Sequence, residues 1–261
     1  VTDLQARGWA RLPADPGTRA WAEAALPAAR AALADEGLRA RWLDCEGTWF
    51  VGVDALPNDA EGRVAAGPPL PEAVRAALSA LYGPVPPLHR AQLSAVFPGY
   101  PRPRAEESEA AFRYRLRRDA AHVDGLLPEG PARRRHLREP HLWILGLPLT
   151  RADPGASPLA VWEGSHAVMR RAFAAALEGV APADWGEVDL TETYHAARRE
   201  VFETCRRVTL PAAPGEALLL HRMTLHGIAP WAAGARAGRE GRVTAYFRPL
   251  VADPAAWLSA L

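Results

Sequence analysis

From Ala91 to Arg248 the chain is a succession of short apolar or β-branched runs separated by Pro- and Gly-rich turns, and few architectures accommodate so many short strands. The runs are Ala91 to Phe97, Phe112 to Arg117, His141 to Leu147, Leu159 to Trp162, Arg207 to Leu210, Ala217 onward to near His226-Gly227, and Arg242 to Arg248. Phe112-Arg113-Tyr114-Arg115-Leu116-Arg117 alternates strictly, which predicts a strand with one apolar and one arginine face. Two helical stretches interrupt the series, one from His166 to Leu177 and one from Thr191 to Thr204. The first ninety residues are of mixed character. Gly8 to Leu12 reads as a strand. Asp15-Pro16 supplies an N-cap and a first-turn proline for an Ala-rich helix over Thr18 to Glu36, which Pro27 is expected to kink and Gly37 to end. A strand is predicted around Thr48-Trp49-Phe50-Val51, and a helix over Pro71 to Tyr82. No repeat or linker divides the chain. The expectation is one α+β domain over 1–261: a supporting N-terminal part (1–90), then a sandwich or barrel core (91–250) with a helical insertion near 165–204.

Composition narrows the chemistry. The net charge is +1, so no global field recruits nucleic acid or a membrane surface. Every one of the 31 basic side chains counted as Lys or Arg is an arginine. That excludes Schiff-base lysine mechanisms and leaves Arg, His or backbone to hold any anion. Cys45 and Cys205 make neither a disulfide framework nor a zinc ribbon. With no charged-then-apolar leader and no apolar run of membrane-spanning length, the expected location is cytoplasmic.

His122-Val123-Asp124 sits where a strand is expected to end. Side chains two apart on a strand share a side, so His122 and Asp124 can close on one metal ion. A third ligand is needed. His136, His141, His166, His195, His221 and His226 are available, and His226 stands out because it follows a strongly apolar strand and precedes Gly227, whose small size leaves room near an ion. Two histidines and a carboxylate occupy one face of an octahedron and leave positions open, as in non-haem Fe(II) oxygenases.

Taken in order, Gly8-Trp9-Ala10-Arg11-Leu12, His122-Val123-Asp124, the turn ending Glu163-Gly164-Ser165-His166, Pro214-Gly215-Glu216-Ala217-Leu218-Leu219-Leu220-His221 leading to His226-Gly227, and Gly241-Arg242-Val243-Thr244 resemble the phytanoyl-CoA dioxygenase family of Fe(II)/2-oxoglutarate-dependent oxygenases. The turn carries Glu163 where the family usually has proline. The resemblance implies a double-stranded β-helix (a cupin-like jelly roll) with flanking helices. It implies iron held by His122, Asp124 and His226, with 2-oxoglutarate as co-substrate and O2 as oxidant. By the same likeness Arg242 takes the far carboxylate of 2-oxoglutarate, with Arg248 as the second choice, Thr244 adds a hydroxyl, and Trp143 lines the co-substrate pocket. Related halogenases replace the carboxylate ligand with a small residue. Asp124 is present, so hydroxylation or desaturation of a small organic substrate, with release of succinate and CO2, is the expectation.

The arginines of the 113–118 and 133–138 segments flank the ligand strand, and an anionic substrate selected by them is a further expectation. Two other readings stand beside the oxygenase: a zinc or manganese hydrolase or isomerase using the same three ligands, and a non-catalytic ligand-binding jelly roll. An interior Arg242 suits a dicarboxylate co-substrate and has no evident task in hydrolysis.

Overall fold

A computed structural model describes residues 2–259. The N-terminal part contains α1 (Thr2–Arg7), β1 (Trp9–Leu12), α2 (Pro16–Ala34), α3 (Glu36–Trp42), β2 (Leu43–Asp44), β3 (Trp49–Leu56) and α4 (Glu72–Tyr82). Next come β4 (Ala91–Val96), α5 (Glu109–Arg118), the hairpin β5 (Leu126–Glu129) and β6 (Arg134–Leu137), β7 (Trp143–Pro148) and β8 (Leu159–Trp162). Then follow α6 (Ser165–Ala176), a 3-10 turn over Pro182–Glu187, α7 (Thr191–Thr204), β9 (Arg207–Leu210), β10 (Ala217–His221), β11 (His226–Ile228), β12 (Arg242–Phe247) and α8 (Ala256–Ser259).

The strands form a seven-stranded sheet, β1-β10-β7-β12-β4-β3-β2, a three-stranded sheet, β11-β8-β9, and the β5-β6 hairpin, with antiparallel pairing throughout. Alternation along the strands sorts side chains into layers. Trp143, Leu145, Leu147, Val243, Ala245 and Phe247 leave the large sheet on one face and pack against Trp21 and Ala25 of α2 and Val74 and Leu78 of α4. Their neighbours Ile144, Leu218, Leu220 and Tyr246 leave on the other face and meet Leu159, Val161 and Ile228 of the small sheet. Behind the small sheet, Trp162 packs with Phe173, Tyr194 and Val201 of α6 and α7. The two sheets therefore face each other across an apolar interior, with helices on both outer faces. Each fully buried large side chain contributes about 1.5–3 kcal/mol.

Several expectations fail for local reasons. Residues 112–117 are helical: Ser108 caps α5 by accepting from Ala111 N, Glu109 lies in its first turn and Arg115, Arg117 and Arg118 in its last, as the helix dipole favours. Pro27 lies within an unbroken α2. The break comes at Asp35, whose side chain accepts from Leu38 N and starts α3, leaving Gly37 inside that helix. The apolar run at Ala217 does not continue to His226. It ends at His221, and residues 222–225 carry the chain from the large sheet to the small one. Arg222 is buried in that crossover, donating to the carbonyls of Trp257, Leu142 and Ala256.

Candidate metal centre

His122 lies outside the named strands, on an isolated antiparallel bridge to His226. His122 N donates to His226 O at 2.8 Å and His226 N to His122 O at 3.0 Å. Directly paired residues present their side chains on one face, and the two imidazoles lie with centroids 4.7 Å apart. Asp124, two residues beyond His122, falls on the same face. Its Oδ1 is 3.2 Å from His122 Nε2 and 3.8 Å from His226 Nε2. One potential ligand atom from each of the three residues lies within 4.8 Å of the others. Adjacent ligands on an ion at ~2.1 Å stand ~3 Å apart, so modest closure suffices to bind one.

The ring nitrogens are already sorted. His122 Nδ1 is 3.0 Å from Ala120 O and His226 Nδ1 is 2.9 Å from Thr224 O, contacts that an N–H makes to a carbonyl. Both Nε2 lone pairs are left facing Asp124. Burial pushes His226 down to about 4, so its ring is neutral and able to ligate at neutral pH. Burial alone would raise Asp124, but the Arg248 charge and its contact with His122 hold it well below the usual carboxylate range.

The approach to the bridge is tightly held. Asp119 ends α5 in the left-handed region, and its buried carboxylate takes both Nε and Nη2 of Arg207 on β9, at 2.6 and 2.9 Å. Asp119 O accepts from Ile228 N. A Cβ at Gly227 would lie 2.1 Å from that oxygen, so the glycine makes room for the crossing backbone rather than for an ion, correcting the expectation. Gly125, at φ +86°, turns the chain directly after Asp124, and a Cβ there would meet Glu139 O at 2.1 Å.

Arg248, the second choice for the co-substrate carboxylate, is engaged with a carboxylate of the site itself, a contact the sequence did not suggest. Its Nη1 donates to Asp124 Oδ2 at 2.9 Å and its Nη2 to Gln92 Oε1 at 2.6 Å. The signal was available in its parity: residues 242, 244, 246 and 248 share one face of β12 and its extension, and the last points to the open end. Arg242 and Thr244 stand farther along, where Arg242 Nη1 donates to Thr244 Oγ1 at 3.1 Å. Arg242 Nε and Nη2 are buried without partners. Arg242 and Thr244 border a small cavity that Tyr246 separates from the triad, although the cavity beside the triad reaches Ser94, the strand neighbour of Thr244.

The cavity beside the triad has a volume of about 310 Å³ and holds His122, Asp124 and His226 in its wall with Trp49, Ile144 and Glu139. Trp143 does not line it: it points to the opposite face of the sheet, into the core beneath α2, and Ile144 takes the interior position. The arginine segments do not line it either. Arg115 is buried against Glu107, Arg118 lies over Phe202, Arg134 pairs with Asp189, Arg135 donates to Leu126 O, and Arg138 pairs with Glu129 and Glu187. The expected arginine-lined entrance is absent among the described residues.

No family model matches the chain, and no curated protein matches it. Solved structures do. AviO1 from Streptomyces viridochromogenes is similar with a TM-score of 0.50 at 16% identity, covering 97% of this chain and 94% of that protein. EvdMO1 has a TM-score of 0.50 at 13% identity, covering 95% of this chain and 48% of that one. SnoN, described as a non-haem alpha-ketoglutarate-dependent epimerase from nogalamycin biosynthesis, has a TM-score of 0.49 at 16% identity, covering 95% and 81%. SnoN has also been solved with Fe3+ and alpha-ketoglutarate. At these identities the likeness to AviO1 and EvdMO1 is one of fold.

Proposed function

We propose that the chain is an Fe(II)- and 2-oxoglutarate-dependent oxygenase acting on a small organic molecule, hydroxylation being the favoured outcome. The observation that supports this most directly is the facing pair His122 and His226 with Asp124 beside them at the wall of an interior cavity, a donor set of two imidazoles and one carboxylate. Within this reading residues 1–261 act as one unit, and the facing sheets are the walls of a double-stranded β-helix of the kind the phytanoyl-CoA dioxygenase resemblance implies.

The donor set fits iron, and a co-substrate that reaches Arg242 from it has to pass Tyr246, which stands between the two cavities. His122, Asp124 and His226 would hold the iron. Arg242, whose Nε and Nη2 are buried and unpartnered, would take the far carboxylate of 2-oxoglutarate with Thr244 beside it. Bound together, Fe(II) and 2-oxoglutarate supply O2 activation with release of succinate and CO2. The chain's own contribution is arrangement. Ala120 and Thr224 carbonyls fix the two imidazole tautomers, and Arg248 occupies Asp124 Oδ2 so that Oδ1 faces the histidines. Ile144, Leu159, Leu220 and Ile228 exclude water from the cavity's inner wall. The buried Arg242 guanidinium, with Nε and Nη2 left to take a carboxylate, is also what favours this reading over a zinc or manganese hydrolase.

Anaerobic titration with Fe(II) and then 2-oxoglutarate tests the proposal. A weak visible metal-to-ligand charge-transfer band is expected in the wild type, lost in His226→Ala and weakened in Arg242→Ala. No band in the wild type overturns it.

A further inference from the structure

The cavity beside the triad and the small cavity bordered by Arg242 and Thr244 have one lining residue in common, Tyr246. The small cavity measures about 20 Å³, room for a single water and no more. The carboxylate of a co-substrate therefore cannot reach Arg242, whose Nε and Nη2 are buried without partners, until a wall of that cavity moves.

The walls differ in how firmly they are held. Pro148, Pro158 and Pro211 have rings locked to the backbone. Asp153 Oδ2 accepts from Arg236 N, and Arg242 Nη1 donates to Thr244 Oγ1. Tyr246 is held by less. It pairs directly with Gly146 on β7, and a Cβ built on that glycine would lie 2.8 Å from Tyr246 Cε1 and 3.3 Å from its Cδ1. The ring thus lies over the Gly146 backbone, in space that any side chain there would take. Its hydroxyl makes no hydrogen bond to the described residues, so turning the ring about its staggered side-chain torsions breaks none. Tyr246 is only 8% exposed, and a buried ring turns only into open space; the cavity beside the triad, about 310 Å³, supplies it.

We propose that Tyr246 is a gate for the co-substrate: its ring leaves Gly146, the two cavities become one, and a single 2-oxo acid then meets the ion at one end and Arg242 at the other. The proposal rests on the oxygenase reading for the identity of that molecule. A 2-oxo acid without a far carboxylate stays in the cavity beside the triad and binds without the movement. Such a gate has a thermodynamic signature. The apparent affinity is the affinity of the open state reduced by the fraction of molecules that are open, and displacing the ring recovers the difference. Gly146→Ala displaces it from outside, because the new methyl takes the ring's place. Tyr246→Ala removes it, and Tyr246→Phe keeps the ring while losing the hydroxyl.

The test uses the full chain, loaded anaerobically with Fe(II) and titrated with 2-oxoglutarate or with pyruvate, the visible charge-transfer band measuring binding. Circular dichroism and Mn(II) affinity establish that each variant is folded with its metal site intact. Gly146→Ala and Tyr246→Ala are expected to bind 2-oxoglutarate at least about threefold more tightly than the wild type, while pyruvate affinity changes by less than about twofold. Tyr246→Phe is expected to match the wild type for both acids. Unchanged or weaker 2-oxoglutarate binding in the folded alanine variants overturns the proposal. So does an equal gain for pyruvate, a wild type that takes 2-oxoglutarate but not pyruvate, or a Tyr246→Phe that behaves like Tyr246→Ala, which would give the role to the hydroxyl. No band with either acid in any of the proteins overturns the oxygenase reading and the gate with it; a 2-oxoglutarate band without the expected gain removes the gate and leaves that reading standing.

Discussion

Replacing Arg248 by glutamine should weaken metal binding without touching a ligand. In the wild type Arg248 spans two acceptors, Asp124 Oδ2 at 2.9 Å and Gln92 Oε1 at 2.6 Å, and it is itself mostly buried. Its removal leaves a buried carboxylate with a free oxygen, and such one-sided removals cost about 3–5 kcal/mol of stability. It also frees Asp124 to rotate and to take a proton, and losing a partner of this kind lowers metal affinity by about 10–100-fold. Arg248→Lys keeps the charge but cannot make both contacts, so it should fall between wild type and glutamine. Titration with Mn(II) or Fe(II) under anaerobic conditions measures the affinities, and urea denaturation of the metal-free proteins measures stability. The pH dependence supplies a sign check. Asp124 is depressed in the folded wild type, so it contributes stability that is present above its unfolded pKa of 3.8 and lost as pH falls through its lower folded value. In the variant the uncompensated carboxyl is protonated at higher pH, so the stability gap should be widest near neutrality and narrow on acidification. Metal affinity within threefold of wild type, or a gap that grows toward acid, refutes the account.

Two further outcomes follow from groups around the site. Gly227→Ala should destroy the bridge, because its Cβ would lie 2.1 Å from Asp119 O; a loss of about 3 kcal/mol or more, together with the metal site, is expected in thermal unfolding with and without Mn(II). His221, whose Nδ1 accepts from Met223 N, is pushed by burial down to about 2, against an ordinary 6.5. A depressed histidine stays neutral in the fold while the unfolded chain takes up its proton, so stability falls as pH drops below 6.5. At pH 4.5 this amounts to about 3 kcal/mol, and His221→Asn should flatten that part of the stability profile.

The strands β7, β8, β9, β10 and β12 were legible because each is an apolar run closed by a turn, and the runs at 159–162 and 207–210 keep their expected bounds. The grouping of His122, Asp124 and His226 was legible for a simpler reason: two of its members lie two residues apart, and the third follows a long apolar run. What escaped depended on side-chain contacts, some within a few residues and some far along the chain. Phe112 to Arg117 alternates like a strand, yet Tyr114 turns its hydroxyl to Ala121 O and Arg115 turns inward to Glu107, contacts that alternation does not encode. Trp143 has the composition of a pocket aromatic, but its parity on β7 assigns it to the core face. Arg248 lies 124 positions from the carboxylate it holds, and only the sheet brings them together.

The bridge between His122 and His226 has a consequence for the choice of ion. Two of the three donors stand on residues joined by main-chain hydrogen bonds, so the backbone fixes where the two imidazoles start and the rings make the small closure an ion requires. A frame set in this way does not single out one ion among those of similar radius. Divalent ions of similar radius meet the same donors at the same spacing, and their affinities should then follow the ordinary order that rises from manganese through iron and cobalt to nickel and copper. If the site holds iron as proposed, purification in the presence of nickel or cobalt should replace it without disturbing the fold.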